Sequence, residues 1–184
     1  MLGLVSGTRF LIIRHAESEW NVSERWQGHG DPSLSARGRK QAQSLADELA
    51  GENVEALYSS DLARAIETAT IIGAHWGLQP QLNRNLRELE IGEWTGLTRS
   101  EIEKRDAQLL ARFDAEDPDV RPGGGESRRE IRSRVRREMA RIAAEHPSQR
   151  VAIVTHLGAV RALFPGTEPA NSDWRWADGS QLAR

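Results

Sequence analysis

Apolar residues along this chain fall into two patterns, short solid blocks and longer stripes of helical period. Residues 9–13 (RFLII) and Val151–Val154 are solid blocks, which predict strands buried on both faces. Ala56–Ser59 predicts a third strand, residues 77–83 a short fourth, and Trp174–Ala177 a last edge strand. The start of the chain, MLGLVSGT, lacks a basic opening and a small-residue cleavage site. It reads as a short tail leading into the first strand rather than as a signal peptide.

The stripes lie between the blocks. From Ser35, an N-cap residue type, Ala42, Leu45, Ala46 and Leu49 follow the i, i+3, i+4, i+7 rule, and Gly51 stands where such a helix stops. Asp61 is expected to cap a second helix with Leu62, Ala65, Ile66, Ala69 and Ile72 inward. A third runs from Thr98 to about Phe113, burying Ile102, Leu109, Leu110 and Phe113. Asp117-Pro118 and the run Arg121-Pro-Gly-Gly-Gly125 end it and predict an unstructured loop. Ser127-Arg-Arg-Glu130 has the form of a capping box and opens a long helix with Ile131, Val135, Met139 and Ile142 on one face, closed by Pro147. A short helix is predicted over Leu157–Leu163, and loops over Arg14–Leu34 and 84–97. Strands alternating with helices imply an α/β fold, a three-layer sandwich with a mainly parallel central sheet and helices on both faces.

The length, 184 residues, suits one domain spanning 1–184. No run approaches the roughly 20 apolar residues that cross a bilayer. The absence of cysteine removes disulfides, thiolate nucleophiles and cysteine metal sites, and a cytoplasmic protein is expected. A net charge of −2 gives no global attraction to nucleic acid or anionic lipid. Arginines 128, 129, 132, 134, 136, 137 and 141 make the long helix basic, but Glu126, Glu130, Glu138 and Glu145 interleave with them. Glu130 and Arg134 have ion-pair spacing, so this reads as a solvated, ion-paired face.

In open parallel sheets ligands bind beyond the carboxyl ends of the strands. Three strands run into chemistry there: Arg14-His15 after the first, Ser59-Ser60-Asp61 and then Arg64 after the second, and Thr155-His156-Leu157-Gly158 after the last buried one. Glu88 and Glu90 lie in a loop able to reach the same edge. A guanidinium fork matches phosphate oxygens, and a neutral imidazole is a nucleophile near pH 7. Two arginines and a second histidine can supply the charge that a divalent ion often brings to phosphoryl transfer. No HxH, HxxxH or HExxH spacing marks a zinc site, so no metal and no cofactor is expected. Taken singly, His29, His75 and His146 read as structural histidines.

Several segments, in order, resemble the histidine phosphatase superfamily, also called phosphoglycerate-mutase-like. They are Ile13-Arg-His-Ala-Glu-Ser-Glu-Trp-Asn21, Gln27-Gly28, Leu34-Ser-Ala-Arg-Gly38, Tyr58 to Ala69, Leu86-Arg-Glu-Leu-Glu-Ile-Gly-Glu-Trp-Thr-Gly96, Pro122 to Ser127 and Val154-Thr-His-Leu-Gly158. The resemblance implies that His15 is phosphorylated, that Arg14, Arg64 and His156 hold the phosphoryl oxygens, and that Glu88 is the proton donor, with Glu90 and Glu93 structural or solvated. Ser18, Asn21, Gln27, Gly28 and Leu157 would complete the substrate-binding set, the backbone at Gln27-Gly28 and Leu157 adding donors. Its implied activity is hydrolysis of a small phosphorylated metabolite, by a monomer or homodimer with no nucleic-acid or membrane partner. A mutase of the same superfamily, which usually has a longer chain, and a catalytically silent phospho-ligand-binding module are the alternatives. Ala16 and Leu157 stand at usual glycine positions; alanine fits if its φ is negative. Only 28 residues follow His156, which is expected to leave less cover over the site and to cost the sheet an edge strand. Trp20, Trp26 and Trp94 are candidates for the leaving-group wall, and Trp174 and Trp176 for the sheet edge or self-association.

Overall fold

The computed structural model describes residues 7–182, so most of the expected N-terminal tail lies outside the described residues. Strands β1 (Arg9–Arg14), β2 (Ala56–Ser59), β3 (Gln81–Leu82), β4 (Arg150–Thr155) and β5 (Trp174–Asp178) form one sheet in the order β3-β2-β4-β1-β5. The β1–β4, β4–β2 and β2–β3 pairs are parallel, and β5 runs antiparallel on the β1 edge. Five helices frame the sheet: α2 (Ala36–Leu49), α3 (Ala63–Trp76), α4 (Arg99–Asp114), α5 (Arg128–Glu145) and α6 (Leu157–Leu163). Two single-turn helices, α1 (Glu19–Val22) and α7 (Gly179–Leu182), stand outside this set.

Strand alternation divides the core in two. Leu11, Ile13, Leu57, Ala152 and Val154 face α2 and α3, where they meet Leu45, Leu49, Ala65, Ala69 and Ile72. Phe10, Ile12, Tyr58, Val151 and Ile153 face the other way and meet Ile131, Val135, Met139 and Ile142 of α5 and Val160 and Leu163 of α6. Strands buried on both faces cannot show polar alternation, which explains the solid apolar blocks. The result is the three-layer sandwich expected. The edge strand is not lost: β5 is present, Trp174 donates its indole N–H to Glu48 at 3.0 Å, and the guanidiniums of Arg9 and Arg150 lie 5.0 and 5.7 Å from the Trp176 ring centre.

Several local expectations change. Ser18 opens α1 with a capping box, so the stretch from Arg14 to Leu34 is not all loop. Asp61 does not cap α3. The N-cap is Leu62, without a side-chain bond; Asp61 is held by Arg87, and Oδ1 of Asp31 accepts from Ala63 N–H at 2.6 Å. Ile66 is half-buried, whereas Arg64 and Thr68 are buried, because the inner face of α3 turns at its start toward polar groups at the strand ends. Within 77–83 only Gln81–Leu82 pairs, and 84–97 holds two 3-10 turns. In α4, Leu109 and Phe113 are only partly buried, and the helix breaks at Asp106, whose carboxylate accepts the Trp94 indole N–H. The Pro-Gly run is not unstructured: Pro122–Gly124 is a 3-10 turn packed on Gly92. The Glu130–Arg134 pair does not form. Glu130 closes the Ser127 capping box and pairs with Arg121, which frees Arg134 to reach Glu126.

Candidate active site

The site begins with strand register. Ile13 is level with Val154 and Arg14 with Thr155, so β1 and β4 end together and release Arg14-His15 and Thr155-His156 side by side. His15 N–H donates to the Thr155 carbonyl at 2.9 Å, and the two imidazole centroids lie 5.0 Å apart. His15 Nδ1 is 2.7 Å from the Ala16 carbonyl oxygen. A carbonyl only accepts, so Nδ1 carries the proton and Nε2 keeps its lone pair. Arg64 Nε–H donates to that Nε2 at 3.3 Å. Burial, then the charges of Arg64 and Arg14, hold the His15 imidazole well below its usual range; the Ala16 carbonyl opposes this. His156 is lowered well below its range for the same first two reasons, burial and Arg64.

The two arginines are positioned by backbone carbonyls. Arg64 is fully buried, and its terminal nitrogens donate to Gly30 O at 2.8 Å and Gly28 O at 3.0 Å. Burial lowers its pKa to about 10, which still leaves it charged at neutral pH. Thr68 locks the turn, donating to Arg64 O and accepting from Ala16 N–H. Arg14 donates from one terminal nitrogen to Pro169 O at 2.7 Å, while its Nε is buried without a partner among the described residues. Both ring nitrogens of His156 are likewise buried and unpartnered among those residues. Unmade hydrogen bonds on buried donors cost free energy, so their clustering at one strand edge marks groups shaped to meet oxygens from outside the protein.

Glu88 lines the same cleft as His15. Its Oε1 accepts from Leu89 N–H at 2.7 Å and Gly158 N–H at 2.8 Å. A Cβ at Gly158 would collide with that oxygen, so glycine there leaves room for the Glu88 carboxylate in this position. Its rivals are engaged elsewhere: Glu90 pairs with His29 at 2.6 Å, and Glu93 pairs with Arg105 at the surface. The loop carrying Glu88 is also fixed through its backbone, since the Glu88 carbonyl lies 2.9 Å from His29 Nε2 and accepts from Arg134 at 3.3 Å.

Arg14, His15, Asn21, Gln27, Gly28, Arg64, Glu88 and Leu157 all line one cleft of about 260 Å3. Ser18 and His156 do not line it. Ser18 is fully buried beneath, its hydroxyl 3.0 Å from Asn21 Oδ1 and 2.9 Å from Gln27 Oε1 with one proton to share between them, which makes it a positioner of those two side chains. Gly28 also contributes its carbonyl to Arg64. Ala16 is not among the residues at positive φ. Trp26 lines the cleft, whereas Trp94 is fully buried behind it and Trp20 lies outside the lining. A hollow of about 500 Å3 on the other side of Arg14 contains Glu48, Glu168 and Asp173 but neither imidazole, which suits it poorly to a phosphate. Sequence reading missed the positioning roles of Thr68, Asn171, Gly158 and Arg134, whereas His29 is structural as read, paired with Glu90 and set against the Glu88 carbonyl. Asn171, which donates to His15 O at 3.0 Å, lies in the least patterned part of the chain, and only the Gly158 spelling carried a signal. His146 and His75 are structural as read, bonded to Tyr58 and placed beside Asp47.

A model of the histidine phosphatase superfamily (branch 1) matches residues 10–176. Phosphoglycerate mutase-like protein 4 of Arabidopsis thaliana is 38% identical over 90% of this chain and 74% of its own. Phosphoserine phosphatase 1 of Hydrogenobacter thermophilus is 35% identical over 85% and 74%. Among solved structures, a mycobacterial glucosyl-3-phosphoglycerate phosphatase in complex with VO3 superposes with a TM-score of 0.83 at 32% identity, over 91% of this chain and 90% of that one. YhfR of Bacillus stearothermophilus superposes at 0.87 with 27% identity, over 92% and 90%.

Proposed function

Because this chain belongs to the histidine phosphatase superfamily, branch 1, we propose that its phosphatase activity runs through His15 as nucleophile and Glu88 as acid and base. The enzyme hydrolyses phosphate monoesters. The observation that carries the residue assignment is the His15 ring, with Nδ1 tied to Ala16 O and the Nε2 lone pair turned to Arg64 at the cleft. In the first step Nε2 attacks phosphorus, the P–O bond to the alcohol breaks, and Glu88 passes its proton to the leaving oxygen. Oε1 of Glu88 is occupied by two backbone N–H groups, so Oε2, which accepts no hydrogen bond among the described residues, carries that proton. In the second step Glu88 takes a proton from water as the water attacks phosphorus, the P–N bond breaks and inorganic phosphate leaves.

Arg14 and Arg64 meet the equatorial oxygens with fixed charge, and His156 adds a neutral donor. Asn21 and Gln27, held by Ser18, and Gly28 and Leu157 shape the phosphate end of the cleft. Relatives named for phosphoserine and glucosyl-3-phosphoglycerate support a small phosphorylated metabolite as substrate. No described helix is long and apolar enough to cross a membrane; a cytoplasmic monomer or homodimer acting on such metabolites fits the reading. The test is release of inorganic phosphate from p-nitrophenyl phosphate. Turnover is expected without added bisphosphate, unchanged in chelator, inhibited by vanadate and abolished in His15→Ala. Full activity in His15→Ala would refute the assignment.

A further inference from the structure

Gly28-His29-Gly30 is the turn on which the cage arginine rests. The carbonyls of Gly28 and Gly30 accept from the two terminal nitrogens of Arg64 at 3.0 and 2.8 Å. The same turn lies against the acid segment. Gly28 is at positive φ, a Cβ there would collide with the Ile91 side chain, and Trp26 makes backbone hydrogen bonds of 2.8 Å to Leu97 and Gly96. Between the two glycines, His29 reaches the acid itself. Its Nε2 is 2.9 Å from the Glu88 carbonyl oxygen and its Nδ1 is 2.6 Å from Glu90 Oε2. A carbonyl only accepts, so Nε2 carries a proton, and the pair with Glu90 closes through a second. The other oxygen of Glu90 accepts from Gly92 N–H at 3.1 Å, which fixes the partner in turn.

Stability alone does not account for this arrangement. The His29 and Glu90 side chains are 26% and 36% exposed, and a pair that open to water adds little to folding. Its effect falls on geometry. Glu88 is gripped at both ends, its Oε1 by the N–H groups of Leu89 and Gly158 and its carbonyl by His29, so the carboxyl has a fixed base from which to reach the leaving oxygen. Without His29 that carbonyl keeps the longer bond from Arg134, at 3.3 Å. A general acid is sensitive to such displacement, because proton transfer needs hydrogen-bond reach in the transition state. We propose that His29, braced by Glu90, is a positioning residue that keeps the Glu88 acid in register with the Arg64 end of the phosphoryl cage. This rests on the hydrolytic reading above and adds to it a residue outside the cleft lining.

The experiment compares p-nitrophenyl phosphate with phenyl phosphate, esters of similar shape whose leaving oxygens differ in their need for a proton. The readout is kcat/KM, which covers the steps up to P–O cleavage. Wild type, with its acid in place, should favour the nitrophenyl ester only slightly. Glu88→Gln should lower the phenyl ester by about 100-fold and the nitrophenyl ester far less. His29→Phe should repeat that selectivity on a smaller scale, about tenfold on the phenyl ester, with a melting temperature within about 3 °C of wild type. His29→Gln, which keeps an N–H for the Glu88 carbonyl, should recover most of the loss. In the Glu88→Gln background, His29→Phe should cost nothing further on the phenyl ester, because no acid is left to place. If His29→Phe does not fold, Glu90→Gln loosens the same pin and is read in the same way, with a smaller loss expected. Equal losses on both esters, no loss on either, or full additivity with Glu88→Gln overturns the inference and leaves the hydrolytic reading intact. If Glu88→Gln itself spares the phenyl ester, the acid assignment fails and takes this proposal with it.

Discussion

The proton on Nδ1 of His15 decides which nitrogen can attack, and burial between two guanidiniums decides over what pH range the ring stays neutral. Its folded pKa lies well below 6.5, so the nucleophile is already deprotonated where a free histidine would be half charged. The acid limb of kcat/KM against pH should therefore lie well below pH 6.5, and an NMR titration of His15 should agree. An acid limb at the ordinary histidine value would mean that the buried environment does not govern the ring. Glu88→Gln should slow hydrolysis by about 100-fold or more, the usual scale for a lost general acid, and Glu90→Gln by much less. A larger loss in Glu90→Gln would transfer the role. Gly158→Ala tests how finely the acid is placed: its methyl would push Oε1 of Glu88 from its two N–H donors, so kcat should fall while the melting temperature holds nearly steady.

At the scale of elements, the acid loop is held by α5 and by a backbone contact between two turns. Arg134 joins Glu126 at 2.6 Å to the carbonyls of Asn85, Arg87 and Glu88. Arg134→Met should cost about 1.5–3 kcal/mol in chemical denaturation, the range for hydrogen bonds from a charged group, and should lower kcat more than it raises KM. Gly92 sits at positive φ with its Cα against Gly123 O, so Gly92→Ala should destabilise the same loop. What the sequence made legible follows from this layout. Buried strands and the helices α2 and α5 declare themselves because a single packed face dictates their apolar period. The arginine and histidine positions were readable because strand ends supply them in order. The start of α3 was misread because Arg64 and Thr68 are buried by the site rather than by the apolar core, and no hydrophobic pattern records that. Arg134 and Asn171 were missed because their partners lie 46 and 156 positions away in the chain.

Across the whole molecule, one mainly parallel sheet with cores on both faces brings distant segments to a single edge and lets two imidazoles stay buried there. Both are held neutral by burial, so above pH 6.5 they carry no titration penalty. As pH falls below that value the unfolded chain takes up protons that the native state refuses. Each ring then destabilises the fold by about 1.4 kcal/mol per pH unit until its lowered native pKa is reached. Denaturant unfolding between pH 7 and 5 should show this loss, and His156→Asn should flatten it by about half; an unchanged slope would locate the acid sensitivity elsewhere. The most direct measurement of the central claim is to quench the enzyme during turnover of a phosphate-labelled monoester and map the label. The account predicts a phosphoryl group on His15, stable in alkali and lost in acid, that decays at the rate at which phosphate appears. Steady turnover with no labelled histidine, or with the label on another residue, would contradict it.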